Sequence, residues 1–445
     1  MSLIASSQLT IVVGLGVSGL AAARYLQKNN KNFAVVDSRE NPPNVDLFAQ
    51  GFVGVPLKLG ELDVDYLLNA DEVILSPGVS LQTPAIKAVI DAGISVIGDV
   101  ELFARVVTAP VIAITGSNAK TTVTTLVGEM AKASGVKVAV GGNIGRPVLD
   151  LLEDNAELYV LELSSFQLET TESLKPLVAS ILNISEDHMD RYDSLMDYFR
   201  AKQRIYWGAQ NIVSNRDDPL TQPPIAADVN YFSFGMGRSD RNQFGFINES
   251  LSFEFSTVIE ANAMQLKGRH NHLNGLAAMA IGHAAGFKQS AMIEVLKCFS
   301  GLPHRCEWVA NINGVEYIND SKATNVGATL AAIEGFGRQD KKTLILIAGG
   351  EGKGAKFSPL KPAIDQYVRH VFLIGADAEL FAGAIKGEAD VQFATDLTQA
   401  IEQANQKAVT GDVVLLSPAC ASFDMFSSFE DRGECFITAV KDLAA

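Results

Sequence analysis

Three short runs of aliphatic and β-branched residues each lead directly into a glycine-rich segment of the chain. The runs cover residues 9–13, 111–115 and 344–348. Because they do not alternate with polar residues, they predict strands buried on both faces, as in parallel sheets covered by helices. Each run therefore predicts the opening strand of a separate α/β domain.

The pattern after the second run changes from that of a strand to that of a helix. Val123, Leu126, Val127 and Met130 recur at the spacing of one helix face. Gly135 stands where a glycine commonly ends a helix. The segment therefore predicts a strand-loop-helix unit, with the glycine-rich residues in its loop.

Breaks in these patterns predict three domains, at residues 1–97, 98–302 and 303–445. The glycine and proline at 301–303 would end the preceding helix and allow a hinge. Residues 209–267 combine prolines, aromatic residues and a strand-like alternation. This combination predicts a β-rich annex to the central domain.

The composition is that of an acidic, folded protein. The 445 residues carry 36 Lys and Arg against 51 Asp and Glu, a net charge of −15, and this length corresponds to about three domains. The acidic excess argues against nucleic-acid binding, which usually requires a basic face. No apolar stretch is long enough for a membrane span, and residues 1–7 lack the basic start of an export signal. We therefore expect a cytoplasmic protein.

The cysteines show no C-x-x-C spacing and are too few to stabilise a chain of this length by disulfides. They are Cys298, Cys306, Cys420 and Cys435. Reduced thiols are therefore expected, and neither a zinc site nor a disulfide framework.

The loop after the second strand has the chemistry of a nucleotide-phosphate site. Its residues are Gly116, Ser117, Asn118, Ala119, Lys120, Thr121 and Thr122. Backbone N–H groups at a helix start can bind phosphate oxygens, Lys120 can offset their charge, and the Thr121 hydroxyl can ligate Mg²⁺. Ala119 departs from the glycine usual before this lysine, and its Cβ is strained if the position requires a positive φ.

Two further strand ends carry polar residues. Glu162 closes the apolar run 158–162, where a second Mg²⁺ ligand would lie and where a buried carboxylate needs a cation or donors. His188 follows another apolar run, and its residue type alone leaves a structural and a functional role open. The nearby segment 198–202 predicts a solvated helix face that carries Lys202.

The first glycine-rich segment has the form of a diphosphate-binding turn. Gly14, Gly16 and Gly19 have the G-x-G-x-x-G spacing, and Asp37 ends the next predicted strand. The spacing indicates a tight turn and a helix start that accepts a diphosphate. It does not distinguish a dinucleotide from a UDP-sugar.

Taken in order, these motifs resemble those of the Mur ligases, which add amino acids to peptidoglycan precursors. The resembling stretches are 116–122, 161–169, 183–192, 302–305, 319–325 and 417–433. The resemblance extends over essentially the whole chain, and it is greatest to the members that add D-glutamate. It implies an α/β protein of three domains: a Rossmann-like UDP-binding domain, a central ATPase domain of the P-loop type, and a Rossmann-like C-terminal domain.

The resemblance also implies roles for individual residues. Those expected to contact the UDP-sugar are Val17, Ser18, Ser38, Arg39, Gly78 and Asn143. Those expected to bind ATP beside the phosphate loop are Asn271, Asn274, Arg305 and Asp320. Those expected to form the D-glutamate pocket are Thr324, Lys353, Ser422 and Phe429. The first group makes the glycine-rich turn a UDP site rather than a dinucleotide site.

The catalytic centre implied by the resemblance contains two Mg²⁺ ions. Thr121 and Glu162 would bind one ion, and His188 and Lys202 the other. Lys202 would carry a CO₂-derived carbamate, because an ammonium repels Mg²⁺ whereas a carbamate is a hard anionic oxygen ligand. Lys120 would offset the charge of the ATP phosphates, and Lys322 and Lys353 would supply positive charge to oxyanions. This role for Lys202 differs from the solvated position that its local pattern predicts.

The reaction implied by the resemblance uses ATP to convert the terminal carboxylate of UDP-N-acetylmuramoyl-L-alanine into an acyl phosphate, which the amine of D-glutamate then attacks. The expected partners are these small molecules, and the expected state is a monomer. Alternatives are the sister ligases for L-alanine, a diamino acid or a dipeptide, and folylpolyglutamate synthase. An NAD-dependent oxidoreductase and a non-catalytic nucleotide-binding regulator are further alternatives from other classes.

Overall fold

A computed structural model describes residues 8–224, 229–266, 268–338 and 340–443. The strands of these residues form three sheets, and each sheet begins with or contains one of the three predicted apolar runs. We refer to the sheets with their helices as the N-terminal, central and C-terminal units. The predicted divisions after residues 97 and 302 fall between the sheets and remain predictions, and the segment 1–7 lies outside the described residues.

The N-terminal unit is built on a parallel sheet. Its elements are β1 (Leu9–Val13), α1 (Val17–Lys28), β2 (Asn32–Asp37), α2 (Val45–Gly51), β3 (Leu57–Leu59), α3 (Val64–Leu67), β4 (Glu72–Leu75), α4 (Pro84–Asp91), β5 (Ser95–Ile97) and α5 (Asp99–Ala104). The strand order is β3-β2-β1-β4-β5, and the neighbouring strands pair in parallel. This is the doubly wound order, in which the loops after β1 and β4 face the same crevice.

The central unit contains the second predicted run. Its elements are β6 (Val111–Thr115), α6 (Lys120–Ala133), β7 (Val138–Gly142), α7 (Val148–Leu151), β8 (Leu158–Glu162), α8 (Ser165–Glu169), β9 (Val178–Ile181), α9 (Leu195–Gln203), β10 (Asn211–Asn215), β11 (Asn230–Phe234), β12 (Gln243–Ile247), β13 (Ser250–Phe253), β14 (Ser256–Glu260), α10 (Arg269–Ala284) and α11 (Gln289–Cys298). The strand order is β14-β13-β12-β11-β10-β9-β6-β8-β7. Pairing is parallel from β7 to β12, and β13 and β14 add an antiparallel edge.

The C-terminal unit contains the third run. Its elements are β15 (Glu307–Ile312), β16 (Val315–Asn319), α12 (Val326–Phe336), β17 (Leu344–Gly349), α13 (Lys361–Tyr367), β18 (Val368–Ile374), α14 (Ala378–Ile385), β19 (Asp390–Phe393), α15 (Leu397–Lys407), β20 (Val413–Leu416) and α16 (Phe429–Leu443). The strand order is β15-β16-β20-β17-β18-β19, with β15 antiparallel at the edge. Short 3₁₀ turns occur at Leu152–Asp154, Arg204–Tyr206, Pro219–Thr221, Ala261–Ala263 and Ser358–Leu360.

The predicted helix after the second run is confirmed. It begins at Lys120, and its predicted apolar face is fully buried under the central sheet. The glycine that was expected to end it has φ +88°. The predicted annex is also present, and its strands continue the central sheet. The alternating run at 251–255 ends earlier than its pattern suggests, because Glu254 takes φ +52° in the turn after β13.

The central sheet fixes where chemistry can occur. Strand β6 pairs with β8 on one side and with β9 on the other, all in parallel. The carboxyl ends of these strands therefore meet at one edge, where α/β sheets bind ligands. Among the described helices, none is long and apolar enough to cross a lipid bilayer, and the four cysteines are free.

Candidate active site

The loop between β6 and α6 has the tight geometry of a phosphate-binding turn. Ala119 adopts φ +65°, so the position does require the left-handed conformation, at a cost of about 1–2 kcal/mol for a residue with a Cβ. The Nζ atom of Lys120 donates to the carbonyl oxygens of Gly116 at 2.8 Å and Ser117 at 2.9 Å. The loop thus surrounds its own ammonium group, and burial lowers the pKa of Lys120.

Glu162 is buried at the carboxyl end of β8, beside the loop. Only 1 % of the residue is exposed. Its Oε1 atom accepts a hydrogen bond of 2.8 Å from Nδ2 of Asn143, whereas Oε2 is buried without a hydrogen-bond partner among the residues that the structure describes. A buried carboxylate oxygen without a donor is costly. The arrangement therefore fits a divalent cation, whose preferred ligands are anionic oxygens.

The structure overturns the solvated position predicted for Lys202. Helix α9 places this residue beneath the phosphate loop, where it is 1 % exposed. Its Nζ atom donates to the Gly116 carbonyl at 2.9 Å and to Oγ1 of Thr115 at 3.2 Å. Burial, reinforced by the charge of Lys120, lowers the pKa of Lys202 well below that of a free lysine. Two lysines therefore donate to one carbonyl oxygen of the loop.

His188 lies on the segment that follows β9, in a left-handed conformation with φ +58°. Its Nε2 atom is 3.8 Å from Oδ2 of Asp187, and its ring lies edge-on to that of Phe166, at a centroid distance of 4.8 Å. Burial lowers the pKa of His188; Asp187 opposes this shift, and Lys120 and Lys202 add to it. The charges of all four predicted catalytic residues of the central unit therefore act at one sheet edge.

A cavity of about 580 Å³ opens between the N-terminal and central units. All six residues predicted to contact the UDP-sugar line it, namely Val17, Ser18, Ser38, Arg39, Gly78 and Asn143. The turn before α1 is compact, since a Cβ added at Gly19 would lie 1.8 Å from the carbonyl oxygen of Gly14. Asn143 both lines this cavity and holds the Glu162 carboxylate. The cavity therefore adjoins the metal-binding candidates.

Asp37 at the end of β2 is occupied by groups of its own chain. Its oxygens accept hydrogen bonds from the backbone N–H groups of Leu15 and Arg39 and from the Arg39 guanidinium. Burial alone would raise the pKa of Asp37, but these donors outweigh it and the pKa is lowered. The carboxylate that would bind a ribose in a dinucleotide site thus organises the turn, which weakens the oxidoreductase alternative.

The C-terminal unit reaches the phosphate loop. Nη2 of Arg305 donates to Oγ1 of Thr121 at 2.6 Å. Asp320, at the end of β16, is buried, and burial raises its pKa to about 7. Burial, together with the charge of Arg305, lowers the pKa of Lys322 to about 8. The Nζ atom of Lys322 lies 3.7 Å from the ring centroid of Phe429.

Other predicted residues lie farther from this group. Asn274 donates to Asn271 at 3.3 Å on α10, which packs beside α6. In the C-terminal unit Ser422 is buried and Thr324 half-buried, whereas Lys353 is exposed, its Nζ atom 5.4 Å from the ring centroid of Phe423. Within the described ranges no hydrogen bond or ring contact joins Lys353 to Lys322 or Phe429.

Two residues of the recognised motifs make contacts that the sequence did not assign. Arg191 donates to the carbonyl oxygens of Pro77 at 2.8 Å and Val79 at 3.2 Å, on either side of a cavity-lining glycine. Asn325 donates to Asn118 in the phosphate loop. Their positions in the His188 motif and at a helix start were visible in the sequence. Their hydrogen-bond partners could not be predicted from the sequence, because these partners belong to other units.

Each of the three units matches a family model built from known proteins. Residues 8–98 match the family model "Mur ligase MurD-like, N-terminal domain", residues 114–282 match "Mur ligase middle domain", and residues 304–420 match "Mur ligase, glutamate ligase domain". The chain is 52 % identical to the UDP-N-acetylmuramoylalanine–D-glutamate ligases of Pseudomonas fluorescens and Pseudomonas aeruginosa, over 100 % of both chains in each case.

Solved structures show the same fold at low sequence identity. A pseudomurein peptide ligase type C from Methanothermus fervidus superposes with a TM-score of 0.60 at 19 % identity, over 98 % of this chain and 100 % of the other. The MurF ligase of Thermotoga maritima, solved with ADP, gives 0.61 at 17 % identity, over 98 % and 95 %. Fold, family models and full-length relatives agree, and the chain belongs to the Mur ligase family.

Proposed function

We propose that this protein is an ATP-dependent ligase that joins D-glutamate to UDP-N-acetylmuramoyl-L-alanine in peptidoglycan precursor synthesis. The carrying observation is the convergence of Lys120, Glu162 and Lys202 at one sheet edge, beside a cavity lined by all the predicted UDP-contacting residues. The names of the full-length relatives support the choice of substrates. The matched glutamate ligase domain at 304–420 supports the assignment of the amino-acid site to the C-terminal unit.

ATP is assigned to the phosphate loop. The backbone N–H groups at the start of α6 would bind phosphate oxygens, and Lys120 would exchange its two carbonyl partners for the terminal phosphate. The guanidinium of Arg305, which donates a hydrogen bond to Thr121, would also contact the phosphates. Asp320 and the asparagines of α10 would complete the nucleotide site. Lys120 thus offsets negative charge where phosphoryl transfer requires it.

The donor set fits Mg²⁺. The unpaired Oε2 atom of Glu162 and the hydroxyl of Thr121 are oxygen ligands of the kind that Mg²⁺ prefers. His188 and a modified Lys202 would hold a second ion. Bound there, the ions would neutralise charge on the phosphoryl oxygens as two anions approach each other. Asn143 keeps the Glu162 carboxylate in place through its other oxygen.

Lys202 would carry a carbamate. As an ammonium it repels Mg²⁺, but its lowered pKa favours the neutral amine that CO₂ requires. The amine lone pair forms the N–C bond, a C=O electron pair moves onto oxygen, and the amine proton leaves to solvent. The product is an anionic oxygen ligand held beneath the loop.

The amino acid is assigned to the C-terminal unit. Its pocket would be formed by Thr324, Lys353, Ser422 and Phe429. The ammonium of Lys322, which lies over the Phe429 ring, would supply positive charge to a carboxylate. D-Glutamate carries two carboxylates, so a pocket with two lysines suits it electrostatically. Because Lys353 is exposed and separate from Lys322, we expect the loop after β17 to close over the bound amino acid.

The chemistry follows from this placement. The substrate carboxylate attacks the γ-phosphorus, ADP leaves, and the acyl phosphate forms beside Lys120. The neutral amine of D-glutamate then attacks the acyl carbon, the C–O bond to phosphate breaks as phosphate leaves from the tetrahedral intermediate, and the amine proton leaves to the phosphate or to solvent. His188 would orient the substrate or ligate metal, and the covering C-terminal unit would exclude water from the acyl phosphate. The same proposal places the enzyme in the cytoplasm, where ATP is available, and as a monomer.

Phosphate release tests the proposed substrates. With ATP and UDP-N-acetylmuramoyl-L-alanine, we expect release with D-glutamate and little with L-glutamate, L-alanine or diamino acids. Lys120→Ala should reduce the rate at least about a hundredfold, whereas Lys132→Ala, at an exposed position of the same helix, should not change it. Equal release with L-alanine or a diamino acid would favour a sister ligase and contradict the proposal.

The carbamate has a separate test. Lys202→Ala should lose activity and partly regain it with short carboxylic acids such as acetate, which can occupy the space of the lost carbamate. Lys137→Ala, at an exposed lysine of the same unit, should gain nothing from acetate. Full activity of the Lys202 variant without added acid would refute the carbamate.

A further inference from the structure

Asn325 joins the C-terminal unit to the central unit through one side chain. It is the N-cap of α12, and its Oδ1 atom accepts from the backbone N–H of Ala328 at 2.9 Å. Its Nδ2 atom donates to Oδ1 of Asn118 at 3.1 Å and to Oδ2 of Asp187 at 3.2 Å. The amide therefore uses its acceptor within its own helix and its donor group on two loops of the central unit.

The backbone beside Asn325 approaches these loops just as closely. A Cβ added at Gly327 would lie 2.7 Å from Oγ of Ser185 and 3.0 Å from Nδ2 of Asn118. The first turn of α12 therefore rests directly on both loops, with no room for a side chain. Contact this close fixes the register of the two units instead of allowing them to slide.

Both loops and the segment before α12 belong to the proposed site. Asn118 lies in the phosphate loop, and Asp187 directly precedes His188. On the other side, Lys322 lies on the same connection between β16 and α12 as Asn325. A shift of Asn325 would therefore displace Lys322 relative to the phosphate loop.

We propose that Asn325 is a positioning residue that registers the C-terminal unit against the phosphate loop and the His188 loop, so that the amino-acid pocket faces the acyl phosphate. The inference rests on the proposed function and deepens it. An amide suits the position because it caps a helix and donates two hydrogen bonds at once. Aspartate would keep the cap but place a carboxylate against Asp187. Serine would keep the cap, but its side chain is too short to reach Asn118 and Asp187.

The test compares variants that share an intact cap. Asn325→Ser and Asn325→Asp both retain a good N-cap residue, and adding Asp187→Asn to Asn325→Asp restores a donor and an acceptor with their roles exchanged. Asp396→Ser, at the N-cap of α15 in the same unit, is the matched control. The readouts are kcat, KM for D-glutamate, affinity for the UDP-substrate, melting temperature, and the radius of gyration by small-angle scattering with a non-hydrolysable ATP analogue.

We expect kcat to fall about tenfold or more in Asn325→Asp and less in Asn325→Ser, because both variants lose the hydrogen bond to the Asp187 carboxylate and only Asn325→Asp adds a like charge facing it. KM for D-glutamate should rise in both, whereas UDP-substrate affinity and melting temperature should stay near those of the control. The radius of gyration should be larger in Asn325→Asp than in the wild type, and the double variant should recover the compactness of the wild type.

Two results would overturn the inference: wild-type kcat and radius of gyration in Asn325→Asp, or a fall in melting temperature that accounts for the whole loss of activity. Scattering requires no turnover, so it decides the inference even if no amino acid stimulates phosphate release by the wild type. That last result would instead remove the proposed function.

Discussion

Ala119 shows how a single residue can conflict with the loop that contains it. A residue with a Cβ at φ +65° costs about 1–2 kcal/mol, and glycine adopts this conformation without strain. We therefore expect Ala119→Gly to raise the free energy of unfolding by about 1 kcal/mol and to leave ATP turnover unchanged or faster. Chemical denaturation and phosphate release measure the two effects.

The control for this substitution is Ala131→Gly in the same helix. Ala131 is buried at a regular helical position, so glycine there should lower stability by about 1 kcal/mol. If Ala119→Gly were destabilising to the same degree as Ala131→Gly, the strain assigned to the loop would be absent.

Lys322 provides a prediction about pH. Its pKa of about 8 means that the side chain is a cation below that pH and neutral above it. If the cation binds a carboxylate, kcat/KM for D-glutamate should fall above pH 8 by up to about tenfold per pH unit. Lys322→Arg stays charged throughout, so its profile should lack this fall.

Parallel pH profiles of the wild type and Lys322→Arg would show that Lys322 does not titrate in the catalytic range. Lys297→Arg, at an exposed lysine paired with Glu294, is the control. Its pH profile should coincide with that of the wild type. This control accounts for effects that any added guanidinium would have.

At the level of single residues, the sequence predicts the positions of those residues whose role depends on the motif that contains them. Lys120 and Glu162 follow predicted strands, and parallel strands bring their ends together, so both could be placed. The local pattern around Lys202 predicts a solvated helix face, and only the resemblance to the Mur ligases assigns this residue to the catalytic centre. Its burial arises only when α9 packs beneath Gly116, which is a contact between distant parts of the chain.

Among the elements, the β1–α1 turn is the most tightly determined. A Cβ at Gly19 would meet the Gly14 carbonyl at 1.8 Å, so Gly19→Ala must move the turn that lines the cavity. We expect the free energy of unfolding to fall by about 1–3 kcal/mol and affinity for the UDP-substrate to fall with it. Differential scanning calorimetry measures the stability, and isothermal titration calorimetry measures the affinity.

Gly51→Ala is the matched control in α2, because a Cβ there would have no atom of the described residues within 4 Å. It should be neutral or slightly stabilising. Wild-type stability and affinity in Gly19→Ala would contradict the close approach seen in the turn.

Element prediction succeeded where strands are buried and continuous and was less accurate at the sheet edge. The runs that form β1 and β6 match their predicted bounds, since apolar runs of that kind suit only covered strands. The annex was recognised by its composition, but nothing local shows that its first strand, β10, pairs onto β9. Likewise, the turn at Glu254 depends on a positive φ, which glutamate does not indicate.

On the scale of the whole molecule, Arg191 ties the N-terminal unit to the loop that carries His188. It donates to Pro77 and Val79, and its guanidinium lies 4.0 Å from the Phe166 ring centroid. We expect Arg191→Ala to weaken binding of the UDP-substrate about tenfold, because Gly78 between these carbonyls lines the cavity. Isothermal titration measures the dissociation constant.

Arg200→Ala is the control for a lost surface arginine, since Arg200 is exposed and pairs with its helix neighbour Asp197. Equal affinities for the Arg191 and Arg200 variants would show that the cavity does not depend on this junction. Such contacts between units are the part of the site that the sequence does not predict, because motifs specify loops but not the placement of one sheet against another.

The central claim is that the cavity and the phosphate loop serve one reaction, in which ATP phosphorylates the carboxylate of the UDP-linked substrate. Oxygen-18 transfer tests it most directly. With substrate labelled in that carboxylate, unlabelled water and D-glutamate, each released phosphate should contain one labelled oxygen, because the acyl phosphate breaks between carbon and oxygen. Release of unlabelled phosphate at the same rate would show that water attacks ATP directly and would contradict the account.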